Sequence, residues 1–352
     1  MRTIEAEIFP EADRVDGCPH PRETYNLLGH EKAERIFTSA MKGNRPHHAW
    51  LITGVKGVGK ATLAYRMARY LLGASQLLQD GLDFSPDDPV VQRIASQGHG
   101  NLFVLRRPYD MKTKKIRTEI PVSEARKLRD FLIQKPSETG WRVVIIDSMD
   151  EMNRNAENAI LKSLEEPPEK TMFFLLSSTP GRLLPTIRSR CVSLSLRAVE
   201  QDQIQSWVGQ HDNYPADIRE AAVKLSRGGP GRAYALCESA DEVLIPLSRY
   251  ISSLTKTLDR VDIKISQSLS RLDQRKNRHL FWEILGDMLD AQARFTATNE
   301  WTAAFKPFPT AKPAPIWVKL SERVKQLSVQ SDALNMDHTS VMMTALNEIR
   351  TA

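Results

Sequence analysis

The sequence predicts an α/β fold in which helices cover both faces of a parallel sheet, followed by helical domains. Three observations lead to this prediction. Short apolar runs alternate with helical patterns over residues 48–196, which is typical of strands joined by crossover helices. A glycine-rich turn joins the first run to a helix, and strand signals disappear after about Leu196. At 352 residues the chain is too long for one ordinary core, so two or three domains are expected.

Five short apolar runs are the predicted strands. The three in the middle of this series are nearly all apolar, as expected of strands that are buried on both faces of a parallel sheet. The last run alternates apolar and polar residues, which predicts a position near an edge of the sheet. The runs are His48–Thr53, Leu102–Arg106, Val143–Asp147, Met172–Ser177 and Cys191–Leu196.

Apolar residues at helical spacing connect the strands in three places, and each stripe is interpreted as a core-facing surface. Pro167-Pro168 ends the third of these helices because proline cannot supply the next backbone donor. The stripes are Leu63, Ala64, Met67, Ala68 and Leu71; Val122, Ala125, Leu128, Phe131 and Leu132; and Ala156, Ala159, Ile160 and Leu164.

The last third of the chain has only helical patterns. Residues 200–240 are predicted to form two or three short helices, and longer amphipathic helices follow from residue 242. The stretch Phe305–Pro315 contains four prolines and is predicted to be a connecting loop. Two of the longer helices have the apolar positions Leu280, Phe281, Ile284, Leu285, Met288 and Leu289, and Val341, Met342, Ala345, Leu346 and Ile349.

Composition excludes several classes of protein. A hydrophobic content of 41% with 26% charged residues is typical of a globular chain, and no apolar run approaches the roughly 20 residues of a membrane-spanning helix. Residues 1–7 include two acids and lack an apolar core stretch, so no secretory signal is expected and the predicted location is the cytoplasm. The cysteines lie far apart and are expected to be reduced thiols without a metal. They are Cys18, Cys191 and Cys237.

The net charge of +6 permits contact with nucleic acid without arguing for it. One local concentration of charge exists, because Arg106–Arg117 contains six basic residues and a single acid, Asp110. A solvated hairpin between two strands is the favoured interpretation of this stretch, and a direct nucleic-acid contact is the alternative.

The turn after the first strand has the composition of a phosphate-binding loop. Residues 54–61 read Gly-Val-Lys-Gly-Val-Gly-Lys-Ala, between a strand and a helix. In such a loop glycines let backbone N–H groups converge on phosphates, and Lys60 reaches the terminal phosphates. The position after the lysine is normally Ser or Thr, whose hydroxyl binds Mg²⁺. Here it is Ala61, and Thr62 is turned away by about 100° around the helix, so Mg²⁺ binding is expected to be weakened.

A second acidic element ends a buried strand. Asp147 occupies the place of a Walker-B metal ligand, but the next residue is Ser148, whose hydroxyl has no useful basicity near neutral pH. Asp150 and Glu151 are possible substitutes for a catalytic base, although they lie in the following turn. Displacement of a catalytic group by an ångström is costly. The combination predicts nucleotide binding without efficient turnover.

Three segments resemble the clamp-loader branch of the AAA+ ATPases, and the resemblance covers residues 25–235. They are Asn158–Pro168, Phe173–Ser178 and Ile187–Cys191, accompanied by Leu28-Gly29-His30 and His48-Ala49. The resemblance implies an AAA+ P-loop domain over residues 1–197, a small helical lid over 198–241 and an all-α collar for oligomerisation over 242–352.

The resemblance also implies roles for individual residues, with ATP or ADP as the ligand. Asp147 matches the Walker-B acid, and Ser177 or Ser178 the polar sensor-1 position. Arg232 matches the sensor-2 region, with a helix-start arginine as the equal alternative. Arg190, of the Ser-Arg-Cys motif, matches an arginine that acts in trans on a neighbour's ATP site. The implied phosphate-loop positions are Gly54, Gly57, Gly59, Lys60, Ala61 and Thr62.

Two departures distinguish this chain from the motor subunits of that branch, gamma and tau. Those usually have Asp-Glu at the Walker-B position and a cysteine-bound zinc module. This chain has Asp147-Ser148 and no cysteine in residues 73–100, where a polar insert, Gln76–Gly100, is found instead. Both departures favour the delta-prime group of bacterial DNA polymerase III subunits, and no zinc is expected.

The resemblance to that group implies gamma/tau and delta subunits as partners, with the sliding clamp and primed DNA reached through the complex. A gamma/tau-type motor ATPase with a degenerate Walker-B element is the alternative function. A small-molecule kinase on a P-loop fold is less compatible with the Ser-Arg-Cys motif and the helical final third.

Overall fold

A computed structural model describes residues 10–15, 18–43, 46–77, 81–211, 214–254, 261–301, 304–309, 312–334 and 336–351. The chain divides into two compact units. The first comprises the described residues up to Glu200 together with Gly228–Gly231, and the second comprises those of Gln201–Arg227 and from Arg232 onwards. The further separation into a lid and a collar stays a prediction.

The first unit alternates strands and helices as its sequence predicts. Its strands are β1 (Ala49–Thr53), β2 (Leu102–Arg106), β3 (Tyr109–Asp110), β4 (Lys115–Ile116), β5 (Arg142–Asp147), β6 (Thr171–Ser177) and β7 (Val192–Ser195). Its helices are α1 (Glu31–Met41), α2 (Lys60–Leu71), α3 (Pro89–Ala95), α4 (Val122–Ile133), α5 (Arg154–Glu165) and α6 (Pro185–Arg188).

Five of the strands form one parallel sheet in the order β2-β5-β6-β1-β7, and the predicted fold class is confirmed. The register places Thr53 opposite both Ser177 and Ser195, and Arg106 opposite Asp147. The carboxyl ends of all five strands therefore meet at one edge, which is where ligands bind in open parallel sheets.

The two edge strands differ in how well the sequence predicts them. β7 lies at an edge, as its alternation indicates, while β1, β5 and β6 are almost completely buried. The expectation that β2 is buried on both faces is wrong, because β2 forms the opposite edge and only Leu105 is fully buried. Its apolar residues are covered on one side by α4, where the rings of Phe103 and Phe131 stack at 5.3 Å.

The basic stretch after β2 forms a short antiparallel hairpin of β3 and β4. The carboxylate of Asp110 shapes its tip by accepting the backbone N–H groups of Lys112 and Thr113 at 3.0 and 3.1 Å. Asp110 also pairs with Arg117 at 2.9 Å. The side chains of Lys112, Lys114 and Lys115 are exposed. The favoured hairpin interpretation is confirmed, and a nucleic-acid contact stays untested.

The helices beyond Glu200 pack around an apolar core of their own. The two predicted stripes of this region face that core: Phe281, Leu285 and Met288 on one helix, and Met342 and Leu346 on another, are fully buried. The helices are α7 (Gln201–His211), α8 (Ala216–Leu225), α9 (Pro230–Glu238), α10 (Ile245–Ser253), α11 (Val261–Leu269), α12 (Arg275–Thr298), α13 (Ala314–Ala333) and α14 (His338–Thr351).

Some sequence predictions fall partly on residues outside the described ones. These are the N-terminal residues 1–7, residues 78–80 of the polar insert, and residues 310–311 of the proline-rich loop. Across the part of the chain that is described, no helix is long and apolar enough to cross a bilayer. Cys191 and Cys237 are free thiols, and burial raises the pKa of each to about 11.

Candidate functional site

The phosphate loop lies between β1 and α2 and depends on its glycines. Gly54, Gly57 and Gly59 have φ angles of 153°, 77° and 108°, a region that side-chain-bearing residues rarely adopt. A Cβ on Gly59 would also lie 2.6 Å from the Cδ1 of Leu27. The glycine pattern is therefore required by the backbone path itself, independently of any ligand.

Two contacts from other parts of the first unit hold the loop in place. The Nε2 of His30 lies 2.9 Å from the carbonyl oxygen of Val58. Because a carbonyl can only accept, and burial lowers the pKa of His30, the neutral ring donates through Nε2–H. On the other side, the N–H of Gly231 donates to the carbonyl of Gly57 at 2.9 Å. His30 entered the sequence prediction only as part of a motif, and its loop contact was not predicted.

Lys60 begins α2 and is buried. Its ammonium group donates to the carbonyls of Gly54 and Val55 at 2.9 and 3.0 Å, and to the hydroxyl of Ser178 at 2.8 Å. Burial lowers the pKa of Lys60 to about 8, and the negative charges of Asp147 and Asp150 partly oppose this shift. The lysine thus lies at the carboxyl edge of the sheet, where the sequence predicts it.

Asp147 ends β5 at the same edge and is half-buried. Burial raises the pKa of its carboxyl to about 7, and the neighbouring charges of Asp13 and Glu151 act in the same direction. Lys60 and Arg106 oppose the shift. A carboxyl with this raised pKa is stabilised in its charged form by a cation, so its position suits a metal ligand.

The two acids considered as substitute bases are both engaged. Asp150 accepts the Ser177 hydroxyl at 2.6 Å, the Ser178 N–H at 2.5 Å and the Thr179 hydroxyl at 2.9 Å. The Oε2 of Glu151 lies 2.8 Å from the Nε of Arg107, in an ion pair that lacks the alignment of a hydrogen bond. Both carboxylates are therefore engaged within the chain.

The two serines at the predicted sensor-1 position have different partners. Ser177 is fully buried and donates to Asp150, whereas Ser178 contacts Lys60. The sequence analysis assigned the sensor-1 position to either Ser177 or Ser178 and named Ser177 first. The contact with the phosphate-loop lysine belongs to Ser178.

A buried charge cluster of the N-terminal segment adjoins this edge of the sheet and was not predicted. Arg106, which pairs in register with Asp147, lies 2.6 Å from Asp13 and 2.8 Å from Glu11. Glu11 also accepts two hydrogen bonds from Arg22 at 2.7 and 2.9 Å. Burial favours a higher pKa for Glu11, but Arg22 and Arg106 outweigh it and lower the pKa to about 2. Because the partners are distant in sequence, no local pattern indicates this cluster.

Comparisons with known proteins point to one family. The family model described as "DNA polymerase III, delta subunit" matches residues 29–200. The DNA polymerase III subunit delta-prime of Pseudomonas aeruginosa is 34% identical over 205 residues, which is 58% of this chain and 60% of that protein. The chain is similar to delta and delta-prime subunits of DNA polymerase III.

Two further similar proteins are named as tau/gamma or gamma-related subunits of DNA polymerase III. The tau/gamma subunit of Haemophilus influenzae is 26% identical over 276 residues, covering 77% of this chain and 38% of that protein. A gamma subunit-related protein of known structure from Thermotoga maritima covers 91% of this chain and 99% of its own, with 15% identity and a TM-score of 0.45. The chain spans 60% of the length of the delta-prime relative and 38% of the tau/gamma relative.

Arg190, which is predicted to act in trans on a neighbour's ATP site, follows α6. Its Nη2 lies 2.6 Å from the Oε1 of Glu165, and its Nη1 donates to the carbonyl of Thr186 at 2.8 Å. Both members of the ion pair are partly exposed, with 33% and 45% of their side-chain surfaces accessible. The contact with Thr186 is the helix-capping role that an isolated arginine would have, and it leaves a role in trans untested.

Arg232, the predicted sensor-2 residue, has its partners on α12 of the second unit. Its Nη1 pairs with Glu283, and its Nη2 lies 3.4 Å from Asp287. These acids hold the guanidinium in a mostly buried position. Its contact with nucleotide stays a prediction.

Within the described residues, no group of three or more His, Cys, Asp and Glu side chains is arranged to hold a metal ion. For the candidate Mg²⁺ site, Asp147 fits the role of a ligand and Ala61 offers no oxygen from its side chain. The predicted weakening of Mg²⁺ binding therefore follows from the residues at hand and awaits measurement.

Proposed function

We propose that this chain acts as a delta-prime-type subunit in the DNA polymerase III holoenzyme and assists ATP-dependent loading of the sliding clamp onto primed DNA. In this role it holds ATP or ADP at its own phosphate loop without efficient hydrolysis. It contributes Arg190 in trans to the ATP site of a neighbouring gamma/tau motor subunit. Gamma/tau and delta subunits are the proposed partners in the cytoplasm, and the helical second unit is the proposed site of assembly.

The observation that carries this proposal is the state of the phosphate loop. The three left-handed glycines and the buried Lys60 form a complete cradle, while the hydroxyl expected at Ala61 and the carboxylate expected at Ser148 are both missing. The glycines and Lys60 support phosphate binding. In hydrolytic relatives, the missing hydroxyl holds Mg²⁺ and the missing carboxylate activates water.

The contacts of the neighbouring acids support the same conclusion. Asp150 is bound to three consecutive residues at the end of β6, and Glu151 is paired with Arg107. A general base must lie within hydrogen-bond reach of the water that it deprotonates. Recruiting either acid would require breaking these contacts, so neither replaces the missing glutamate at low cost.

The role of Arg190 is supported by its exposure and by the nature of its contacts. Its ion pair with Glu165 is partly exposed, and such pairs contribute only about 0–1 kcal/mol. The guanidinium can therefore leave Glu165 for a phosphate at small cost. A planar and permanently charged group suits the charge that develops on a transferred phosphoryl group.

The direct test is a pair of measurements on the isolated chain. Calorimetry with ATP and with ADP should detect binding, and a phosphate-release assay should detect almost no turnover. Lys60→Ala should abolish binding, whereas Lys112→Ala, which removes the same charge from an exposed hairpin, should leave it unchanged. Absence of binding in the wild type would overturn the nucleotide part of the proposal.

A gamma/tau-type motor is the second candidate function. It is favoured by the tau/gamma relative from Haemophilus influenzae, whose similarity covers 77% of this chain. The two candidates differ in the activity of the isolated chain. Steady-state hydrolysis at about 1 s⁻¹ or faster, the low end of typical enzyme rates, supports the motor. Binding without hydrolysis supports the delta-prime role.

A further inference from the structure

Lys60 uses all of its hydrogen-bonding capacity on the chain itself. An ammonium group has three N–H donors, and those of Lys60 contact Gly54 O, Val55 O and Ser178 Oγ at 2.9, 3.0 and 2.8 Å. A phosphate oxygen that binds Lys60 must therefore replace at least one of these acceptors. Two of them belong to the phosphate loop, and Ser178 is the side chain among the three.

Ser178 is held in position by a carboxylate from a different part of the chain. Asp150, in the turn after β5, accepts the N–H of Ser178 at 2.5 Å, and it binds the hydroxyls of both flanking residues, Ser177 and Thr179. One acid therefore fixes three consecutive residues at the end of β6. The negative charge of Asp150 favours the protonated form of Lys60.

We propose that Asp150 and Ser178 form a latch on the phosphate-loop lysine, in which Asp150 positions Ser178 and the hydroxyl of Ser178 competes with nucleotide phosphate for Lys60. The proposal rests on the nucleotide binding proposed above, and it identifies the bond from Lys60 to Ser178 as the contact that opposes nucleotide binding. Asp150 is a positioning residue, because it acts on Lys60 through Ser178.

The strength of the competing contact follows from its surroundings. The bond from Lys60 to Ser178 is charge-assisted and short, and Lys60 is buried, where such bonds are stronger than in water. Removing the hydroxyl leaves one ammonium donor available to a phosphate. We expect Ser178→Ala to tighten ADP binding by about tenfold, which is the scale of one hydrogen bond to a charged group.

The variant Asp150→Asn tests how Asp150 positions Ser178 without changing the size of the side chain at position 150. The variant keeps the size of the side chain, but an amide has a single acceptor oxygen and cannot receive all the donors of residues 177–179. Ser178 is then no longer fixed, and Lys60 is released in part. In a Ser178→Ala background, Asp150→Asn still removes the negative charge that acts on Lys60, so the positioning role is the part of its effect on ADP affinity that is lost when Ser178 is absent. A merely structural role for Asp150 would instead lower affinity in both backgrounds.

The experiment combines ADP calorimetry with competitive acetylation of lysines in the full chain. The acetylation rate of Lys60, followed by peptide mass spectrometry, reports its engagement without any nucleotide. The exposed Lys112, Lys114 and Lys115 are internal standards whose rates should not change. Ser193→Ala, at an exposed position of β7, is the control variant, and thermal unfolding of each protein checks that it is folded.

The latch is supported if Ser178→Ala and Asp150→Asn both raise the acetylation rate of Lys60 several-fold and tighten ADP binding, and if Asp150→Asn has a smaller effect in the Ser178→Ala background than in wild type. Weaker or unchanged ADP binding by Ser178→Ala overturns it, because Ser178 then assists phosphate binding or ignores it. If Asp150→Asn fails to fold, Ser178→Ala decides the result alone.

The labelling experiment separates failure of the latch from failure of nucleotide binding. Unchanged acetylation of Lys60 in the variants, with ADP binding intact, overturns the latch and leaves the proposed function standing. Faster acetylation without ADP binding in any protein supports the contact between Lys60 and Ser178, and overturns both nucleotide binding and the competition for it.

Discussion

The carboxylate of Glu151, in the turn that follows β5, lies 2.8 Å from the guanidinium of Arg107, which directly follows β2. Burial raises the pKa of Glu151, and Arg107 opposes this shift. Glu151, one of the two acids in the turn after Ser148, is thus engaged in a contact within the chain. This relationship bears directly on whether the chain can hydrolyse a nucleotide.

The first prediction concerns restoration of turnover. The variant that combines Ala61→Ser and Ser148→Glu regains a hydroxyl for Mg²⁺ and a carboxylate for water activation, so its phosphate release should exceed that of the wild type at least tenfold. The same substitutions in a Lys60→Ala background should give no increase, which is the control for a contaminating ATPase. A wild-type rate of about 1 s⁻¹ or more would contradict the premise that the hydrolytic groups are missing.

The second prediction is that ionisation of Asp147 lowers the free energy of unfolding. Its folded-state pKa of about 7 exceeds the ordinary value of 3.8, so the folded state binds the proton more tightly than the unfolded state. The free energy of unfolding therefore falls as pH rises from about 4 to about 7, and this decrease reaches its full size above pH 7. Asp147→Asn should raise the free energy of unfolding by about 1–3 kcal/mol more at pH 8 than at pH 5.

Denaturant unfolding at the two pH values measures this difference. Asp130→Asn, at an exposed position of α4, is the matched control and should show the same stability change at both pH values. An Asp147→Asn variant whose stability relative to wild type does not depend on pH would contradict the raised pKa.

The local part of the site could be predicted from the sequence, whereas its long-range contacts could not. The phosphate loop follows from adjacent residues, because Gly54, Gly59 and Lys60 have roles set by the strand before them and the helix after them. The bonds from Asp150 to Ser177, Ser178 and Thr179 at the end of β6 span 27 to 29 positions. No periodicity records such a pairing, which depends on the order in which β5 and β6 lie in the sheet.

The sheet shows the same limit. Burial of β5 and β6 follows from continuous apolar runs, but β2 has a similar composition and forms an edge. An apolar run indicates how much surface is covered without indicating whether a neighbouring strand or a helix covers it. Likewise, the cluster of Glu11 and Arg106 joins residues 95 positions apart, and only the folded chain brings them together.

The third prediction concerns acid sensitivity of the N-terminal cluster. The folded-state pKa of Glu11 is about 2, below the ordinary value of 4.5, so its stabilisation is complete above pH 4.5 and is lost as pH falls from 4.5 towards 2. Glu11→Gln should destabilise the chain at pH 7 by about 1–3 kcal/mol, because it leaves Arg22 and Arg106 without one partner.

Urea unfolding of Glu11→Gln and wild type at pH 7 and at pH 3 checks this expectation. The two proteins should differ clearly at pH 7 and less at pH 3. Glu200→Gln, which replaces an exposed acid, should match wild type at both values. Equal stability of Glu11→Gln and wild type at pH 7 would show that the cluster does not stabilise the fold.

The fourth prediction is that the purified protein contains no structural zinc. A structural zinc site needs four ligands, mostly Cys and His, in tetrahedral geometry, and the sequence offers three widely separated cysteines. His47 and His48 stack against each other, and the Nε2 of His48 is hydrogen-bonded to the carbonyl of Leu164. Elemental analysis should find well below about 0.1 zinc per chain, and about one zinc per chain would refute the expectation.

The last prediction concerns Arg190 in the assembled complex. Arg190→Ala removes the partly exposed ion pair with Glu165 and a bond to Thr186, so the isolated chain should lose no more than about 1 kcal/mol of stability. In a complex reconstituted with motor and delta subunits, the variant should assemble normally. It should silence the one ATP site that it contacts, since an arginine finger contributes about 10³-fold or more to the rate there.

Total DNA-stimulated ATPase should then fall only in part, because the other motor sites remain, while clamp loading should fall further. Arg188→Ala removes the same charge two positions away, from an exposed residue, and should leave both activities unchanged. Glu165→Ala separates the two roles of Arg190, because it breaks the ion pair within the chain and keeps the guanidinium. If Glu165→Ala reduces loading as much as Arg190→Ala does, the ion pair is the functional contact; if Arg190→Ala matches wild type, Arg190 only caps its helix.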